Sequence, residues 1–99
     1  MFYRHIVYIT TNANKTTLYI GVTNNIQRRL SQHYADSQGM KISFAGRYNC
    51  YYLVYYEPFE QVKEAILREK QIKKWNRFKK ERLITSTNPN WDFLNNEIF

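Results

Sequence analysis

The first part of the chain has two short apolar runs separated by polar residues, which is the pattern of a β-hairpin. HIVYIT (residues 5–10) and TLYIGV (residues 17–22) are rich in β-branched and aromatic residues, and the TNANKT between them has the composition of a turn. Because successive side chains of a strand point to opposite faces, Val7 and Ile9 share one face of the first strand and Tyr8 lies on the other.

The second strand of this hairpin carries a tyrosine and a glycine on the same face. Tyr19 and Gly21 are two residues apart, so the alternation places them side by side. Because a glycine has no side chain to fill the space beside a ring, we expect an opening where a ligand or another backbone can approach the Tyr19 phenol.

A helix is predicted after the hairpin from apolar residues that recur at intervals of four. Thr23 or Asn24 can cap its amino terminus. Arg29 and His33 are also four residues apart, so they lie together on an adjacent face of the same helix. The side chains expected to point inward are Ile26, Leu30 and Tyr34.

The middle of the chain contains a loop pattern followed by a strand pattern. Residues 36–48, DSQGMKISFAGRY, mix two glycines with polar and apolar residues and are predicted to form a long loop. CYYLVYYE (residues 50–57) is apolar or aromatic at nearly every position, which predicts a strand that is central in its sheet or covered on both faces. This strand is expected to end at Glu57 and Pro58.

Two further helices are predicted in the remainder of the chain. One begins near Glu60, and its apolar stripe holds Val62, Ala65, Ile66 and Ile72. Glu69 falls inside that stripe. The other covers about residues 74–85 and ends before NPNW (residues 88–91), because the residue before a proline disfavours helix. One side of this helix carries Trp75, Phe78 and Arg82.

Length and composition indicate one domain over residues 1–99 in a reducing compartment. The chain is 43% hydrophobic, which is enough to bury a single core. Since Cys50 is the one cysteine of the sequence, an internal disulfide and a cysteine-based zinc cage are excluded, and a cytoplasmic location is expected. No apolar run has the length of a signal peptide or approaches the roughly 20 residues that span a bilayer, so no membrane partner is expected.

Basic residues are concentrated in one segment of the chain. Fifteen Lys and Arg oppose eight Asp and Glu, which gives a net charge of +7. Residues 63–82 hold nine of the basic and three of the acidic residues, a net +6. This segment is either a solvated helix face or a surface that tracks phosphates, and the overall charge favours a polyanionic partner such as nucleic acid.

Several side chains in these elements have the chemistry to act on a phosphate. Glu69 on an apolar stripe needs a partner, which is either a basic neighbour in a buried ion pair or a hard divalent cation such as Mg²⁺. Arg29 suits neutralisation of a phosphorane-like transition state, and His33 can donate to a phosphate or accept a proton. A tyrosine is a poor base unless cations lower its pKa, and composition does not single out Tyr8 and Tyr19 among nine tyrosines.

An ordered set of motifs resembles the GIY-YIG nuclease superfamily over nearly the whole chain. IVY at 6–8 and YIG at 19–21 stand where the family has its two name-giving motifs, and Arg29 follows the second tyrosine by ten positions. The later REKQIKKWNRFKKERLI and NPNWDFL are similar to small single-domain members related to the N-terminal nuclease domain of the excinuclease ABC C subunit. The sequence departs from the family at Ile6, which replaces a glycine, and at Val22, where some members carry a lysine.

The resemblance implies a fold, a reaction and a set of site residues. The fold is of the α/β (α+β) class, a three-stranded antiparallel sheet flanked by helices. The reaction is phosphodiester hydrolysis assisted by one Mg²⁺ or Mn²⁺ ion, for which Glu69 matches the family's carboxylate ligand. The other matching catalytic positions are Tyr8, Tyr19, Arg29, His33 and Asn88. Tyr8, Tyr19 and His33 remain alternative general bases.

The expected partner is nucleic acid, DNA in preference to RNA, with a protein partner possible for targeting. The flanking backbone is expected to contact Arg47 in the loop and a basic series on the later helices: Lys70, Lys73, Lys74, Arg77, Lys79 and Lys80. Because 99 residues supply no separate sequence-reading domain, such an enzyme is expected to select DNA structure in repair or recombination. Two alternatives stay open: a nucleic-acid-binding module with the same fold but little catalysis, and a basic protein-interaction domain without salt-dependent affinity for nucleic acid.

Overall fold

The structure is a computed structural model that describes residues 5–38 and 49–98. Within those ranges the chain forms β1 His5–Thr11, β2 Leu18–Thr23, α1 Ile26–Gln38, β3 Tyr52–Phe59, α2 Val62–Lys74, α3 Arg77–Thr87 and α4 Asn95–Ile98. The first three residues of the predicted 36–48 loop belong to α1, and the rest of it, including Arg47, lies outside the described residues. No helix in the described part of the chain is long and apolar enough to cross a membrane.

The three strands form one antiparallel sheet in the order β2-β1-β3, which confirms the predicted sheet flanked by helices. Because β1 is the central strand, the first of the two alternatives predicted for residues 50–57, a central position, does not hold. The segment is nevertheless covered on both faces, because Leu53 packs on one and Val54 on the other. β3 continues past Pro58 to Phe59, as an edge strand can accommodate a residue that lacks an N–H.

The outer edge of β3 is covered by the C-terminal segment. The Asn88 side chain donates to the Val54 carbonyl at 2.9 Å, and the Leu94 N–H donates to the Leu53 carbonyl at 2.7 Å. The Leu53 N–H donates in turn to the carboxamide oxygen of Asn95 at 2.8 Å. These bonds satisfy backbone groups that an open sheet edge leaves unpaired.

Apolar side chains cover both faces of the sheet. α2 and α3 pack on one face, where the buried residues include Val7, Ile9, Ile20, Ala65, Ile72 and Ile84. α1 and the C-terminal segment pack on the other face, where the buried residues are Ile6, Tyr8, Ile26, Leu30 and Leu53. The alternation predicted for β1 is therefore confirmed, and it directs Tyr8 toward α1.

The buried face of α1 differs from the predicted one at its last position. Ile26 and Leu30 are buried as expected, but Tyr34 is 53% exposed and His33 is only 5% exposed. A helix turns 100° per residue. The spacing of three from Leu30 to His33 therefore returns to the buried face, whereas the spacing of four from Leu30 to Tyr34 leads away from it. The cap also differs, because the Asn25 carboxamide oxygen accepts the Arg28 N–H at 3.0 Å.

The apolar stripe of α2 is narrower than predicted. Ala65 and Ile72 are buried, whereas Val62 and Ile66 are 45% and 37% exposed. Glu69 lies between the two buried residues, four positions after Ala65 and three before Ile72. The sequence-based placement of this carboxylate at the edge of the core is thus retained.

Candidate active site

The space beside Gly21 is filled by the ring of Tyr8. The two residues are paired across β1 and β2, and Tyr8 is fully buried. A β-carbon added at Gly21 would lie 2.5 Å from the Tyr8 oxygen and 2.6 Å from its Cζ, well inside van der Waals contact. The opening predicted beside Tyr19 is therefore wrong, because a tyrosine from the neighbouring strand occupies it.

A side chain at position 21 should displace the Tyr8 ring. We expect Gly21→Ala to lower the free energy of unfolding by about 1–3 kcal/mol, the usual cost of overpacking, because Tyr8 is enclosed on all sides. Urea denaturation followed by circular dichroism measures the change. In a double-mutant cycle, Tyr8→Leu should recover part of the loss. A Gly21→Ala protein as stable as the wild type would contradict this packing.

Three aromatic side chains from different elements meet on the α1 side of the sheet. Tyr8 Oη and His33 Nε2 are hydrogen-bonded at 2.9 Å, which links β1 to α1. The Tyr19 ring packs edge-on against His33 with centroids 5.1 Å apart, and its centroid lies 6.1 Å from that of Tyr8. Tyr19 is half-buried whereas the other two are buried, so Tyr19 is the most accessible member of the cluster.

Arg29 brings positive charge to this cluster from one turn earlier on α1. Burial, and then the neighbouring Tyr19, raise the pKa of the Tyr8 phenol well above its usual value, although the charge and hydrogen bonding of Arg29 act in the opposite direction. Burial and the charge of Arg29 lower the pKa of His33 to about 4. At neutral pH, Tyr8 is consequently a protonated phenol and His33 a neutral imidazole.

The lowered pKa of His33 makes the fold sensitive to acid. An unfolded histidine has a pKa of about 6.5, so between that pH and pH 4 the unfolded chain binds a proton that the folded one does not. Stability should fall across this window as pH decreases, by on the order of 3 kcal/mol at its lower end. Urea unfolding at neutral pH and near pH 4 measures the decrease. It should be smaller in His33→Gln, which keeps every carboxylate, and an equal decrease in both proteins would contradict the assignment.

Glu69 forms an ion pair with the residue one turn later on α2. Its side chain is 15% exposed, and a carboxylate oxygen lies 3.5 Å from Lys73 Nζ. In residues 5–38 and 49–98, no group of three or more His, Cys, Asp or Glu could hold a metal ion. The donor set therefore fits a divalent ion only where one carboxylate is completed by substrate phosphate and water, an arrangement that Mg²⁺ commonly adopts.

Asn88 is buried and braces the C-terminal segment. Its carboxamide donates to the carbonyls of Val54 and Asp92, each at 2.9 Å, and accepts the Asp92 N–H at 3.0 Å. Its own N–H donates to the Ile84 carbonyl at 2.8 Å and closes the last turn of α3. Because both amide protons are donated to backbone, the structure gives Asn88 a role in the fold and does not join it to the tyrosine cluster.

Arg77 also has a structural role where a phosphate contact was predicted. Its guanidinium donates to the Lys15 and Thr16 carbonyls at 3.0 and 2.7 Å, which ties α3 to the β1–β2 turn. The same group pairs with Glu81 at 2.9 Å. With its donors engaged on the protein, Arg77 is a poor candidate for contact with nucleic acid.

The predicted lysines are more accessible. Lys70 and Lys74 are exposed, and neither forms an ion pair among the described residues. Lys79 is exposed as well and lies over the Trp75 ring, with its Nζ 4.5 Å from the centroid. Lys80 is half-buried. These lysines thus keep their charge on the surface of α2 and α3.

The arrangement of β-hairpin, tyrosine pair and α1 is that of a known domain. The GIY-YIG catalytic domain matches residues 4–82 of the chain. The chain belongs to the GIY-YIG family. Membership indicates a nuclease-type domain that binds nucleic acid and acts on phosphodiester bonds.

Relatives within the GIY-YIG family are short proteins of similar length. A UPF0213 protein of Natronomonas pharaonis is 41% identical over 80 residues, which cover 81% of this chain and 89% of the relative. A UPF0213 protein of Staphylococcus aureus is 38% identical over 80 residues, which cover 81% and 93%. The solution NMR structure of a UPF0213 protein from Bacillus halodurans is similar with a TM-score of 0.55, at 26% identity and 88% coverage of both chains.

The sequence predicted the side chains that meet on the α1 side of the sheet, Tyr8, Tyr19, Arg29 and His33, but not their contacts. Glu69 belongs to α2, which packs on the opposite face of the sheet. The cross-strand pairing of Tyr8 with Gly21 could have been found from the hairpin register alone, because the two residues are equally distant from the turn. The roles of Asn88 and Arg77 could not, since each depends on backbone groups far away in the chain.

Proposed function

We propose that the protein is a divalent-metal-dependent endonuclease that hydrolyses phosphodiester bonds in DNA, selects its substrate by structure and serves DNA repair or recombination. The observation that carries the proposal is the meeting of Tyr8, Tyr19 and His33 beside Arg29 on one face of the sheet. GIY-YIG membership supports the nuclease class. Structure selection is supported by the exposed lysines of α2 and α3, whose contacts to the DNA backbone carry no sequence information.

A protonated Tyr8 beside a neutral His33 defines a direction for proton transfer. Because burial raises the pKa of Tyr8, its phenolate is scarce at neutral pH. The phenol therefore accepts one proton as it gives up another. The attacking water gives its proton to the accessible Tyr19 hydroxyl, Tyr19 passes its own to Tyr8, and Tyr8 passes its own to His33 Nε2. The resulting hydroxide attacks phosphorus, the bond from phosphorus to the leaving oxygen breaks, and that oxygen takes a proton from solvent.

Arg29 couples substrate binding to this proton acceptor. Its guanidinium stays charged and can pair with two phosphate oxygens, which neutralises charge that develops in the transition state. In the free protein the same charge lowers the pKa of His33. A phosphate bound to Arg29 offsets that charge, so the pKa of His33 rises and its ring becomes a stronger base when substrate is present.

Glu69 is the residue that would hold Mg²⁺ or Mn²⁺. When bound, the ion supplies charge stabilisation at the scissile phosphate and at the leaving oxygen. The Glu69 carboxylate already faces Lys73, so the protein alone has low affinity for the ion. We therefore expect the ion to bind together with DNA, whose phosphate adds ligands to the single carboxylate that residues 5–38 and 49–98 provide.

The exposed lysines of α2 and α3 supply the contacts that hold the flanking backbone. Lys70 and Lys74 follow Glu69 within two turns of α2, and Lys79 continues the basic surface on α3. Such contacts position DNA without reading its sequence. We expect this surface to bind DNA without a further protein, and a protein partner would serve only to target the enzyme to a DNA junction.

A nucleic-acid-binding module with little or no catalysis is the second candidate. The observation that favours it is the enclosure of Tyr8. Burial raises the pKa of this phenol, whereas a tyrosine that takes a proton from water needs a lowered pKa. Val22 adds to this, since it stands where some members of the family carry a lysine near the phenol.

Cleavage of a panel of labelled DNAs tests the proposed function. Flapped, branched, single-stranded and blunt duplex DNAs, with matched RNAs, are incubated with the protein in Mg²⁺, Mn²⁺ or EDTA, and binding is measured in rising salt. We expect metal-dependent scission of flapped or branched DNA. Steeply salt-dependent binding without scission would favour the binding module, and no salt-dependent binding would contradict both candidates.

A further inference from the structure

A row of four aromatic rings lies outside the tyrosine cluster. Tyr34 of α1 packs edge-on against Tyr51, with ring centroids 5.0 Å apart. Tyr51 is followed at 4.6 Å by Tyr52, which stacks on Phe93 of the C-terminal segment at 4.3 Å with the ring planes inclined by 20°. Three separate parts of the chain thus contribute to one continuous aromatic surface, called here the aromatic row.

The aromatic row is more open to solvent than core packing requires. Its end members, Tyr34 and Phe93, are 53% and 37% exposed, and the two rings between them are half-buried. Core aromatics are enclosed, as Tyr8 is, and contiguous exposed apolar surface on a small soluble domain commonly marks a binding site.

Two open clefts flank the central rings of the aromatic row. One, of about 310 Å³, is lined by Leu30, Ser31, Tyr34, Tyr51 and Asn95. The other, of about 290 Å³, is lined by Asn12, Ala13, Asn14, Gln38, Asn49, Tyr51 and Tyr52. The Asn12 carboxamide is bonded to Thr16 and Thr17, but those of Asn14 and Asn49 can hydrogen-bond the edge of a nucleobase while a ring stacks on its face. The second cleft therefore combines the two interactions that unpaired bases use.

Charge and position connect the aromatic row to the candidate active site. Lys15 Nζ lies 5.2 Å from the Phe93 ring centroid and brings a positive charge to one end of the row, where a phosphate can follow a stacked base. At the other end, Tyr34 directly follows His33 on α1 and lies little more than one turn after Arg29. One helix thus supplies side chains to both sites.

We propose that the aromatic row is a stacking site for unpaired nucleobases, which specifies the substrate of the proposed nuclease as nucleic acid with a single-stranded segment and rests on that function. Bases of any identity can stack on such rings, so the site reads the presence of unpaired nucleotides and not their sequence. The paired bases of a blunt duplex have no exposed faces along their length and gain nothing from the row.

Binding of single strands and duplexes by ring-deletion variants tests the aromatic row. Fluorescence anisotropy in EDTA compares a labelled single strand of about 12 nucleotides with a blunt duplex of the same sequence. We expect Tyr34→Ala and Phe93→Ala each to weaken single-strand binding about five-fold or more and to leave duplex binding within about two-fold. Tyr34→Phe and Phe93→Tyr keep the rings and should bind as the wild type does.

Phe78→Ala is the matched control, because Phe78 is 66% exposed on α3 and lies outside the row. Photocrosslinking of a 5-iodouracil single strand adds a direct readout, and the crosslinks should map to the aromatic row. Unchanged single-strand binding in Tyr34→Ala and Phe93→Ala, or an equal loss for duplex and single strand, would overturn the stacking site. Failure of the proposed function gives a different result, since the wild type would then show no metal-dependent scission of flapped DNA, whether or not the ring-deletion variants still lose single-strand binding selectively.

Discussion

Replacing Arg29 by alanine is expected to lower the rate of strand scission about 100- to 1,000-fold while the protein still binds DNA. The guanidinium acts on charge that develops only in the transition state, whereas the exposed lysines provide most of the attraction to the DNA backbone. Single-turnover cleavage of a flapped DNA with saturating protein separates the two effects, because the rate then reports the chemical step and the affinity is measured independently.

Arg28→Ala is the matched control for Arg29. It removes the same charge from the adjacent position of α1, but the Arg28 side chain is exposed. We expect little change in the cleavage rate and a similar small loss in affinity. NMR titration adds a readout that does not depend on activity: the pKa of His33 should rise from about 4 in Arg29→Ala and remain there in Arg28→Ala. Equal cleavage rates in the two variants would contradict the role given to Arg29.

Replacing Glu69 by glutamine is expected to abolish metal-stimulated scission, with a loss of at least about 100-fold. The carboxamide keeps the size of the side chain and removes the charge that a divalent ion requires. The fold should tolerate the change, because the Glu69 pair with the half-exposed Lys73 contributes at most about 1 kcal/mol. Single-turnover rates over a range of Mn²⁺ concentrations measure the effect, and thermal unfolding checks the fold.

Glu64→Gln provides the control for Glu69 on the same helix, since Glu64 is exposed in the first turn of α2. It should cleave as the wild type does. Paramagnetic broadening by Mn²⁺ in the presence of an uncleavable DNA should appear at residues around Glu69 and disappear in Glu69→Gln. The same broadening in the variant would show that other groups hold the ion and would remove the role of Glu69.

The members of the candidate site could be predicted from the sequence because their positions follow from local regularities. Alternation along two short strands places Tyr8 and Tyr19 on the same side of the hairpin, and helical spacing brings Arg29 and His33 together. The order of the motifs then identifies the family. None of these steps requires knowledge of contacts between distant segments.

The sequence-based predictions did not find the partners of these side chains, either because the hairpin register was not used or because the partners lie far away in the chain. Gly21 was expected to leave an opening, yet the space belongs to Tyr8 because the register of two strands decides which ring lies over the glycine. Motif order marks Asn88 as catalytic, but its carboxamide bonds to Val54 and Asp92, which packing alone brings near. The aromatic row could not be predicted either, because packing brings its rings together from three separate parts of the chain.

The order of the strands in the sheet could not be predicted from the sequence either. The apolar run of β3 has the composition of a central strand, but it lies at the edge of the sheet. Its outer edge is protected because the C-terminal segment forms hydrogen bonds to Leu53 and Val54. Apolar residues are needed on both faces of this strand because helices pack on both faces of the sheet, whatever position the strand has in it. The composition of a strand therefore predicts that it is covered, but it does not predict which element covers it.

The most direct test is one side-by-side measurement of single-turnover cleavage of a flapped DNA by the wild type, Arg29→Ala and Glu69→Gln, purified identically so that a contaminating nuclease would appear in all three. The proposed nuclease, in which Arg29 acts on the scissile phosphate and Glu69 would hold the ion, gives scission by the wild type in Mg²⁺ or Mn²⁺, none in EDTA, and binding without scission in both variants. Equal scission by all three proteins, or binding without scission by the wild type, would contradict it.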